Sequence, residues 1–317
     1  MNIKIIMDSN PFFTSSASAN RWLTLIEGLK EFDVDILIFI VGSYQSKIEK
    51  KQLEKSSNIN GIEFRYLTTK IIDGIWQKRY HKYIGKHIQT LRIKKAIKNE
   101  LKDYNEIVWC QNDLTIWKTV SALNKKSFKL ISEMSEFLDI HHYNKGNVLQ
   151  KRAGDTKQKY FEDIYLKKLD GLVLMTKTLI KHYKTFKTVP PLLHLPMTVD
   201  LDRFKEIDSS PSEFKSPYIA FVGVMNDAKD GVNILIEAFN EIYSDFPEFK
   251  LYLVGAWNYD TPAHQRRIKE LKLEEKIKWV GEYSRDKIPS IIGNAELLVL
   301  PRPDSKQAQG GFPTKLG

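Results

Sequence analysis

The sequence lacks the marks of secreted, membrane-spanning and disulfide-built proteins. It has one cysteine, Cys110, in 317 residues, which excludes an internal disulfide and fits a reducing compartment. Aliphatic runs such as Ile36–Val41 fall far short of the roughly 20 residues that a membrane helix needs. The N-terminus enters a strand pattern without the cationic and apolar regions of a signal peptide. We therefore expect a cytoplasmic location, either free in the cytoplasm or bound peripherally at the inner face of the membrane.

Several motifs of common enzyme sites are also missing. Neither GxGxxG nor GxxxxGK[ST] is complete, so dinucleotide and P-loop chemistry has little support. The seven histidines include no zinc-binding pattern, and no nucleophile elbow or Cys/His pair is evident. Asp33 and Asp35 could hold Mg²⁺ or Mn²⁺ against a diphosphate, but they lie at a strand entrance, where solvated polar residues are common. We expect neither a metal nor a cofactor.

What the sequence does contain is an alternation of strand and helix patterns. Its 317 residues suit two domains of roughly 150 residues each. Continuous apolar strands with intervening helices indicate parallel sheets covered on both faces. The predicted elements of the first half are strands at Asn2–Asp8, Val34–Gly42 and near Ile107, Leu130 and Val173, with a helix at Ser18–Phe32.

A second series follows a segment, Pro190–Pro217, that is rich in Pro, Ser and charge and reads as a linker. Strands are predicted at Tyr218–Val224, Phe249–Gly255, Ile277–Glu282 and Glu296–Pro301, with helices at Gly231–Phe246, Pro262–Leu273 and Arg285–Ala295. The fold class is therefore α/β, with two tandem Rossmann-like, doubly wound domains facing a cleft. We divide the chain into residues 1–200, a linker at 201–216, and residues 217–317, where four strands suggest an incomplete sheet.

Positive charge is concentrated in the first half. From Pro211 to Gly317 there are 14 Lys and Arg against 15 Asp and Glu, which leaves 35 against 24 for residues 1–210. Much of this excess lies in Lys78–Lys102, where cations alternate with apolar residues at helical intervals. Such a segment could attract an anionic membrane surface or nucleic acid, or could be a solvated amphipathic helix on a domain surface. Nucleic acid has no other support in the sequence, so we expect no nucleic-acid partner.

Three segments of the second half stand out: "YIAFVGVMNDAKDGVNILIEAFNEIYSDFPEFKLYLVG", "KIKWVGEYSRDKIPSIIGNAELLVLP" and "GGFPTKLG". In this order they resemble the donor-binding domain of a retaining glycosyltransferase of family 4, with the two-Rossmann GT-B fold. Val199-Asp200 and Arg203-Phe204 also match a family segment, with Met197-Thr198 in place of Asn-Gly. The resemblance is good from about residue 170 onward and looser before it.

The resemblance implies a set of donor-binding residues. The family's Gly-Arg pair followed by a lysine falls on Gly223, Val224 and Lys229, so the lysine is kept and the arginine is not. Lys229 would neutralise the donor diphosphate as the sugar bond breaks, and Arg302 or Lys315 could replace the arginine. Tyr283 lies in another loop at a strand end. A helix start would present Gly311, Phe312, Thr314, Lys315 and Leu316 to the diphosphate.

Two glutamates of the family's last motif are not found at their expected places. The first position is Gly310, and the second would be residue 318, one residue after the last. We read this as an incomplete second domain, and we expect little activity from residues 1–317 alone. The change at Gly310 puts the usual contact with a sugar hydroxyl in question.

The acceptor side is expected in the first half, where the resemblance is weaker. Ser15, Ser16 and Asn20 belong to a loop that replaces a glycine-rich one. Glu133 stands near the position where many relatives place a histidine beside the reacting sugar. Glu133 or Glu136 could orient the acceptor hydroxyl or stabilise positive charge on the sugar carbon, or could be an ordinary loop or capping carboxylate.

These observations predict a metal-independent retaining glycosyltransferase. The donor would be a UDP- or GDP-sugar and the acceptor a hydroxyl of a lipid-linked molecule or glycan, with bacterial surface-polysaccharide assembly as the setting that the resemblance implies. The alternative is a catalytically silent GT-B protein that binds nucleotide sugars or glycans. Val224 and Gly310 favour that alternative, whereas Lys229 and Gly311-Phe312 oppose it.

Overall fold

A computed structural model describes residues 2–14, 16–42, 50–51, 57–67, 75–80, 86–100, 106–123, 128–138, 148–207, 213–215 and 217–312. These residues fall into two compact units. The first comprises the described residues up to Thr198 together with Gly310–Phe312, and the second comprises those of Val199–Gln309.

The first unit is built around an eight-stranded sheet in the order β3-β4-β2-β1-β5-β6-β7-β8. Only the pair of β3 and β4 is antiparallel. The strands are β1 Asn2–Met7, β2 Asp35–Ile40, β3 Asn58–Ile59, β4 Ile62–Tyr66, β5 Ile107–Cys110, β6 Lys129–Met134, β7 Gly171–Leu174 and β8 Leu192–His194.

Six α-helices of this unit lie among the described residues: α1 Ala17–Lys30, α2 Ile75–Tyr80, α3 Lys86–Glu100, α4 Leu114–Ser121, α5 Val148–Tyr160 and α6 Lys177–Tyr183. A π-helical turn, Phe161–Tyr165, extends α5. Helix α1 begins at the Ser16 side chain, which accepts a hydrogen bond from Ala19 N, a normal N-cap arrangement.

Both faces of the first sheet are covered by apolar side chains. Because side chains alternate along a strand, Ile5 of β1 packs with Trp22 and Ile26 of α1 on one face. Ile6 belongs to the opposite face, in a cluster that includes Trp117 of α4. This two-sided core is what the continuous apolar strands predicted.

The second unit contains a four-stranded parallel sheet in the order β11-β10-β9-β12. The strands are β9 Tyr218–Val222, β10 Lys250–Val254, β11 Ile277–Gly281 and β12 Leu297–Leu298. The helices are α7 Asp227–Asp230, α8 Val232–Ile242, α9 Thr261–Glu270, α10 Ile288–Gly293 and α11 Lys306–Gly310. Phe221 and Phe239 belong to the cluster on one face and Tyr218 and Ile291 to that on the other.

Sequence patterns located every strand of the second unit and the main strands of the first. They missed β3, which has two residues, β4, in which Glu63 and Arg65 interrupt the apolar pattern, and β8, which lies within the segment read as a linker. Leu192–His194 pairs with β7 as a parallel edge strand, and a strand of three residues is too short to show a period. The α/β, parallel, doubly wound fold class is confirmed.

Candidate functional site

The loops that follow the four strands of the second unit meet at one edge, because all four strands are parallel. The chain runs from β9 to β10 and β11 on one side, whereas β12 lies on the other side of β9. Such a reversal of strand order leaves a crevice beyond the carboxyl ends of β9 and β12, where ligands of open α/β sheets bind. The loops after β9 and β12 are therefore the centre of the candidate site.

The loop after β9 starts in close contact with the loop after β10. Gly223 N donates a hydrogen bond of 2.7 Å to Val254 O. Gly255 has φ of +151°, and a Cβ at this position would overlap with Gly223 O. Glycine is required at 255 on both counts, and the first turn of each loop is fixed by the other.

Lys229 lies in α7, a single turn with well-defined ends. Asn226 caps this turn, since its Oδ1 accepts a hydrogen bond of 2.8 Å from Lys229 N. Gly231 ends it in the left-handed region at φ +67°, where a Cβ would overlap with Pro301 O of the segment after β12. The turn that carries Lys229 therefore packs against the chain beyond β12.

Arg302 follows β12 and lies beside the same turn. Its Nε is 3.6 Å from Asp230 Oδ1, and the two side chains are 13% and 2% exposed. Val224, which occupies the place of the family's arginine, is 47% exposed. The Arg302 guanidinium therefore lies beside Asp230, the residue next to Lys229. Arg302 is one of the two residues considered as a replacement for the absent arginine.

Three aromatic rings lie at this edge: Trp279 within β11, Trp257 in the loop after β10 and Tyr283 in the loop after β11. Trp279 Nε1 donates to Gly255 O at 3.0 Å, and its ring lies edge-to-face with Trp257, centroids 5.1 Å apart. Trp257 is 54% exposed. Tyr283 donates its hydroxyl proton to the Glu213 carboxylate; burial and this hydrogen bond raise the pKa of Tyr283 to about 12. Tyr283 is therefore a neutral donor at physiological pH.

Glu133, the predicted acceptor-side carboxylate, lies inside β6 rather than in a loop. It is 5% exposed and forms an ion pair with Arg21 of α1. Burial raises the pKa of Glu133, and the Arg21 charge offsets part of that effect. Arg21 also donates to Pro196 O at 2.6 Å and to Leu195 O at 2.7 Å. The pair therefore joins α1, β6 and the segment after β8.

The other acceptor-side predictions fall at the carboxyl edge of the first sheet. Ser16 caps α1 and Asn20 is half-buried within α1. Burial lowers the pKa of Lys157, and the charges of Asp113 and of Glu136, which follows β6, offset part of that effect. Lys157 Nζ donates to Asn112 O at 3.0 Å and lies 5.1 Å from the centre of the Trp117 ring.

The last predicted segment is placed only in part. Ser15, Thr314, Lys315 and Leu316 lie outside the described residues. Gly311 and Phe312 are described and are not helical; they follow α11, a helix that sequence patterns did not predict. Gly311 and Phe312 belong to the first unit. That they contact the same diphosphate as Lys229 remains a prediction.

Sequence patterns did not identify two buried polar residues next to the predicted site residues. Arg21 and His264 are buried at 2% exposure, each on a helix face that is otherwise apolar. A charged or titratable residue at an apolar position of a helical pattern was the available signal.

Within the described ranges, no group of three or more His, Cys, Asp or Glu could hold a metal ion. None of the described helices is both long and apolar enough to cross a membrane.

Comparisons with known proteins agree with this geometry. Residues 202–316 match the family model described as "Glycosyl transferases group 1". No curated protein matches the sequence. The fold is similar to that of sucrose-phosphate synthase from Thermosynechococcus elongatus, with a TM-score of 0.67 and 13% identity over 95% of this chain and 75% of that one.

Two further solved structures are similar. WaaG, a glycosyltransferase involved in lipopolysaccharide biosynthesis, gives a TM-score of 0.63 and 12% identity over 96% of this chain and 76% of that one. The pneumococcal O-GlcNAc transferase GtfA, in complex with UDP and GlcNAc, gives 0.62 and 9% over 99% and 84%. The predicted GT-B fold is confirmed, and the match over 202–316 supports glycosyl transfer rather than binding alone.

Proposed function

We propose that the protein is a metal-independent retaining glycosyltransferase of family 4 type. It transfers a sugar from a UDP- or GDP-sugar to a hydroxyl group of a lipid-linked or polysaccharide acceptor. The acceptor oxygen forms a new bond to the anomeric carbon, the bond from that carbon to the diphosphate breaks, and the hydroxyl proton leaves with the diphosphate. The anomeric configuration of the donor is retained.

The observation that carries this proposal is the position of Lys229 and Arg302 at the strand-order reversal of the second unit, within the segment that matches the glycosyl transferases group 1 model. Negative charge develops on the diphosphate as the sugar bond breaks, and fixed cations stabilise that charge. Lys229 supplies one cation and Arg302 the second. Gly223 lets the diphosphate approach the backbone closely. Gly311, Phe312, Thr314, Lys315 and Leu316 complete the donor contacts in this proposal.

The nucleoside of the donor occupies the loops after β10 and β11, next to the diphosphate. Exposed Trp257 offers a ring face for a base, and Tyr283 a hydroxyl group. A complex of the neighbour GtfA contains UDP and GlcNAc, which is consistent with a nucleotide-sugar donor. On the acceptor side we assign Ser15, Ser16, Asn20 and Glu136 to the sugar or hydroxyl contacts. Glu133 acts behind them, through its ion pair with Arg21.

The acceptor is brought to the enzyme at an anionic membrane surface through Lys78–Lys102. In the described part, α3 buries Ile93 at 0% exposure and turns Ile88 and Leu91, 40% and 69% exposed, outward. Residues three and four apart share a helix face, so the exposed Lys94, Lys95 and Lys98 surround these two apolar side chains. Trp76 of α2 is 78% exposed, and tryptophan favours membrane–water interfaces.

The test is turnover by the full-length protein with a panel of UDP- and GDP-sugars and lipid-linked or glycan acceptors. We expect transfer from at least one donor without added divalent metal, in the presence of a chelator, and a product with the anomeric configuration of the donor by NMR. Lys229→Ala should lower kcat by about 100- to 1,000-fold, as the loss of one charge-stabilising group does. Lys250→Ala, at the amino end of β10, is the matched control and should leave kcat unchanged.

Two outcomes would contradict the proposal. A product of inverted configuration would exclude a retaining mechanism. Tight binding of nucleotide sugars with no transfer and no hydrolysis across the panel would favour the silent binding protein, which Val224 and Gly310 had suggested.

A further inference from the structure

His264 is a buried histidine that faces the turn carrying Lys229. It lies on α9 at 2% exposure, and its Nε2 is 2.8 Å from Asp227 Oδ1. Since a carboxylate oxygen accepts and does not donate, the His264 ring carries a proton on Nε2. Its Nδ1 is buried and has no hydrogen-bond partner among the residues that the structure describes. Among the described residues, the polar contact of the His264 side chain is therefore with Asp227.

Asp227 is the first residue of α7 and is held at both its backbone and its side chain. Its N donates to Asp260 Oδ2 at 3.1 Å. Its Oδ1 accepts from His264 and also from Asn233 N at 2.8 Å. A turn of four residues has little stability of its own, so its position depends on such contacts.

The exposed side of the α7 turn contacts the residues that precede His264 in the sequence. Asn226 donates from Nδ2 to Tyr259 Oη at 3.1 Å, while its Oδ1 receives Lys229 N. Asp260 N in turn donates to Asn258 Oδ1 at 2.8 Å. The residues Asn258–His264, which we name the support segment, therefore fix the turn from its buried and its exposed sides.

We infer that the support segment, with His264 as its buried anchor, positions Lys229 for the donor diphosphate. This inference rests on the proposed function, because it assigns to His264 a role in the same site. His264 is a positioning residue: it touches Asp227, and through Asp227 it sets the place and direction of the α7 turn. His264→Leu fills much of the same space but removes the Nε2 donor that faces Asp227 Oδ1 from α9.

The experiment measures the dissociation constants of UDP and GDP by isothermal titration calorimetry, far below the unfolding temperature of each variant. His264→Leu should weaken the tighter-binding nucleotide by about 10- to 100-fold, since a misplaced Lys229 loses most of a charge-assisted hydrogen bond to the diphosphate. His264→Gln, whose amide can donate in place of Nε2, should restore most of this loss. Tyr259→Phe, at a 64% exposed position, removes the outer contact without risk to the core and should weaken binding severalfold.

Arg267→Ala is the matched control. It lies on the same helix, where Arg267 Nε contacts Glu237 Oε1 at 2.6 Å, but it touches no residue of the α7 turn. It should lower the unfolding temperature slightly and leave the dissociation constant unchanged. Unchanged nucleotide binding in folded His264→Leu and in Tyr259→Phe, with Lys229→Ala impaired, would overturn the positioning role alone. Unchanged binding in Lys229→Ala as well would overturn the proposed donor site and the positioning role together.

Discussion

Glu133 can be singled out in the sequence, but its partner Arg21 cannot. The resemblance pointed to Glu133 because it stands near the position where many relatives place a histidine, and the structure gives that carboxylate a buried partner, with side chains 3% and 6% exposed. The partner is 112 positions away in the sequence, so no local pattern could reveal it. By contrast, the N-caps at Ser16 and Asn226 follow from short polar residues before helices. Local chemistry is predictable, whereas pairing across the fold is not.

Substitution of Arg21 should destabilise the first unit strongly. Arg21→Leu removes the charge that pairs with Glu133 and the donors to Leu195 O and Pro196 O. We expect the free energy of unfolding to fall by about 3–5 kcal/mol, as for a broken buried ion pair. Lys30→Ala, which removes an exposed pair with Glu27 in the same helix, should cost less than about 1 kcal/mol. Equal losses in urea titrations of the two variants would contradict this account.

The Cys110 thiol predicts a specific dependence of stability on pH. Burial raises the pKa of Cys110 to about 12, against about 8.5 in an unfolded chain. Above about pH 8.5 the unfolded chain loses this proton and the folded chain keeps it, so stability falls as pH rises. The contribution is complete below that pH and declines by about 1.4 kcal/mol per pH unit above it. Cys110→Ala should unfold with a flatter dependence between pH 8.5 and 10; an unchanged slope would be evidence against the buried neutral thiol.

At the scale of elements, the sequence predicted the long ones and missed those that depend on distant partners. β9, β10 and β11 are apolar runs between turn residues, and all three lie where the pattern put them. β3 and β8 are two and three residues long and exist only because β4 and β7 pair with them. The turn of Lys229 was recognised as a loop with a lysine, but its supports, Asp260 and His264, lie in another loop and helix.

Gly231 tests the packing of the Lys229 turn against the chain after β12. Gly231→Ala would place a Cβ on Pro301 O at a positive φ, so we expect a loss of more than about 1 kcal/mol in the free energy of unfolding. Nucleotide affinity should fall too, because Arg302 moves with Pro301. Gly28→Ala is the control: no atom lies within 4 Å of its added Cβ and α1 is helical there, so it should gain about 0.5–1 kcal/mol. A neutral Gly231→Ala would show that the contact does not matter.

Helix α3 tests the membrane surface. Replacement of Lys94, Lys95 and Lys98 by glutamine should weaken binding to vesicles containing phosphatidylglycerol by roughly 10- to 100-fold, since each lysine near an anionic surface contributes about 1 kcal/mol. The matched control replaces the exposed Lys269, Lys272 and Lys287 of the second unit and should bind as the original chain does. Sedimentation with vesicles of phosphatidylcholine alone should show little binding for any variant. Equal binding to both vesicle types would refute an electrostatic contribution.

At the scale of the whole molecule, positive charge is divided unevenly between the two parts of the chain. Residues 1–210 carry a net charge of +11 and the remainder −1, which together give +10. In the proposed function the first part provides the acceptor and membrane contacts, and the nearly neutral remainder binds the donor through a few placed cations. The sequence alone showed this division, because net charge needs no fold to be counted. It could not show that Arg302 lies beside Asp230 in the turn of Lys229, since these segments come together only through the strand order of the second sheet.

The most direct test of the central claim compares nucleoside diphosphates with monophosphates in calorimetric titrations of the chain and of Lys229→Ala. If Lys229 and Arg302 hold a diphosphate, UDP or GDP should bind at least about tenfold more tightly than UMP or GMP, which corresponds to about 1.4 kcal/mol. Lys229→Ala should remove most of that difference and leave monophosphate binding nearly unchanged. Equal affinity for mono- and diphosphates, or a full diphosphate preference in Lys229→Ala, would contradict the account.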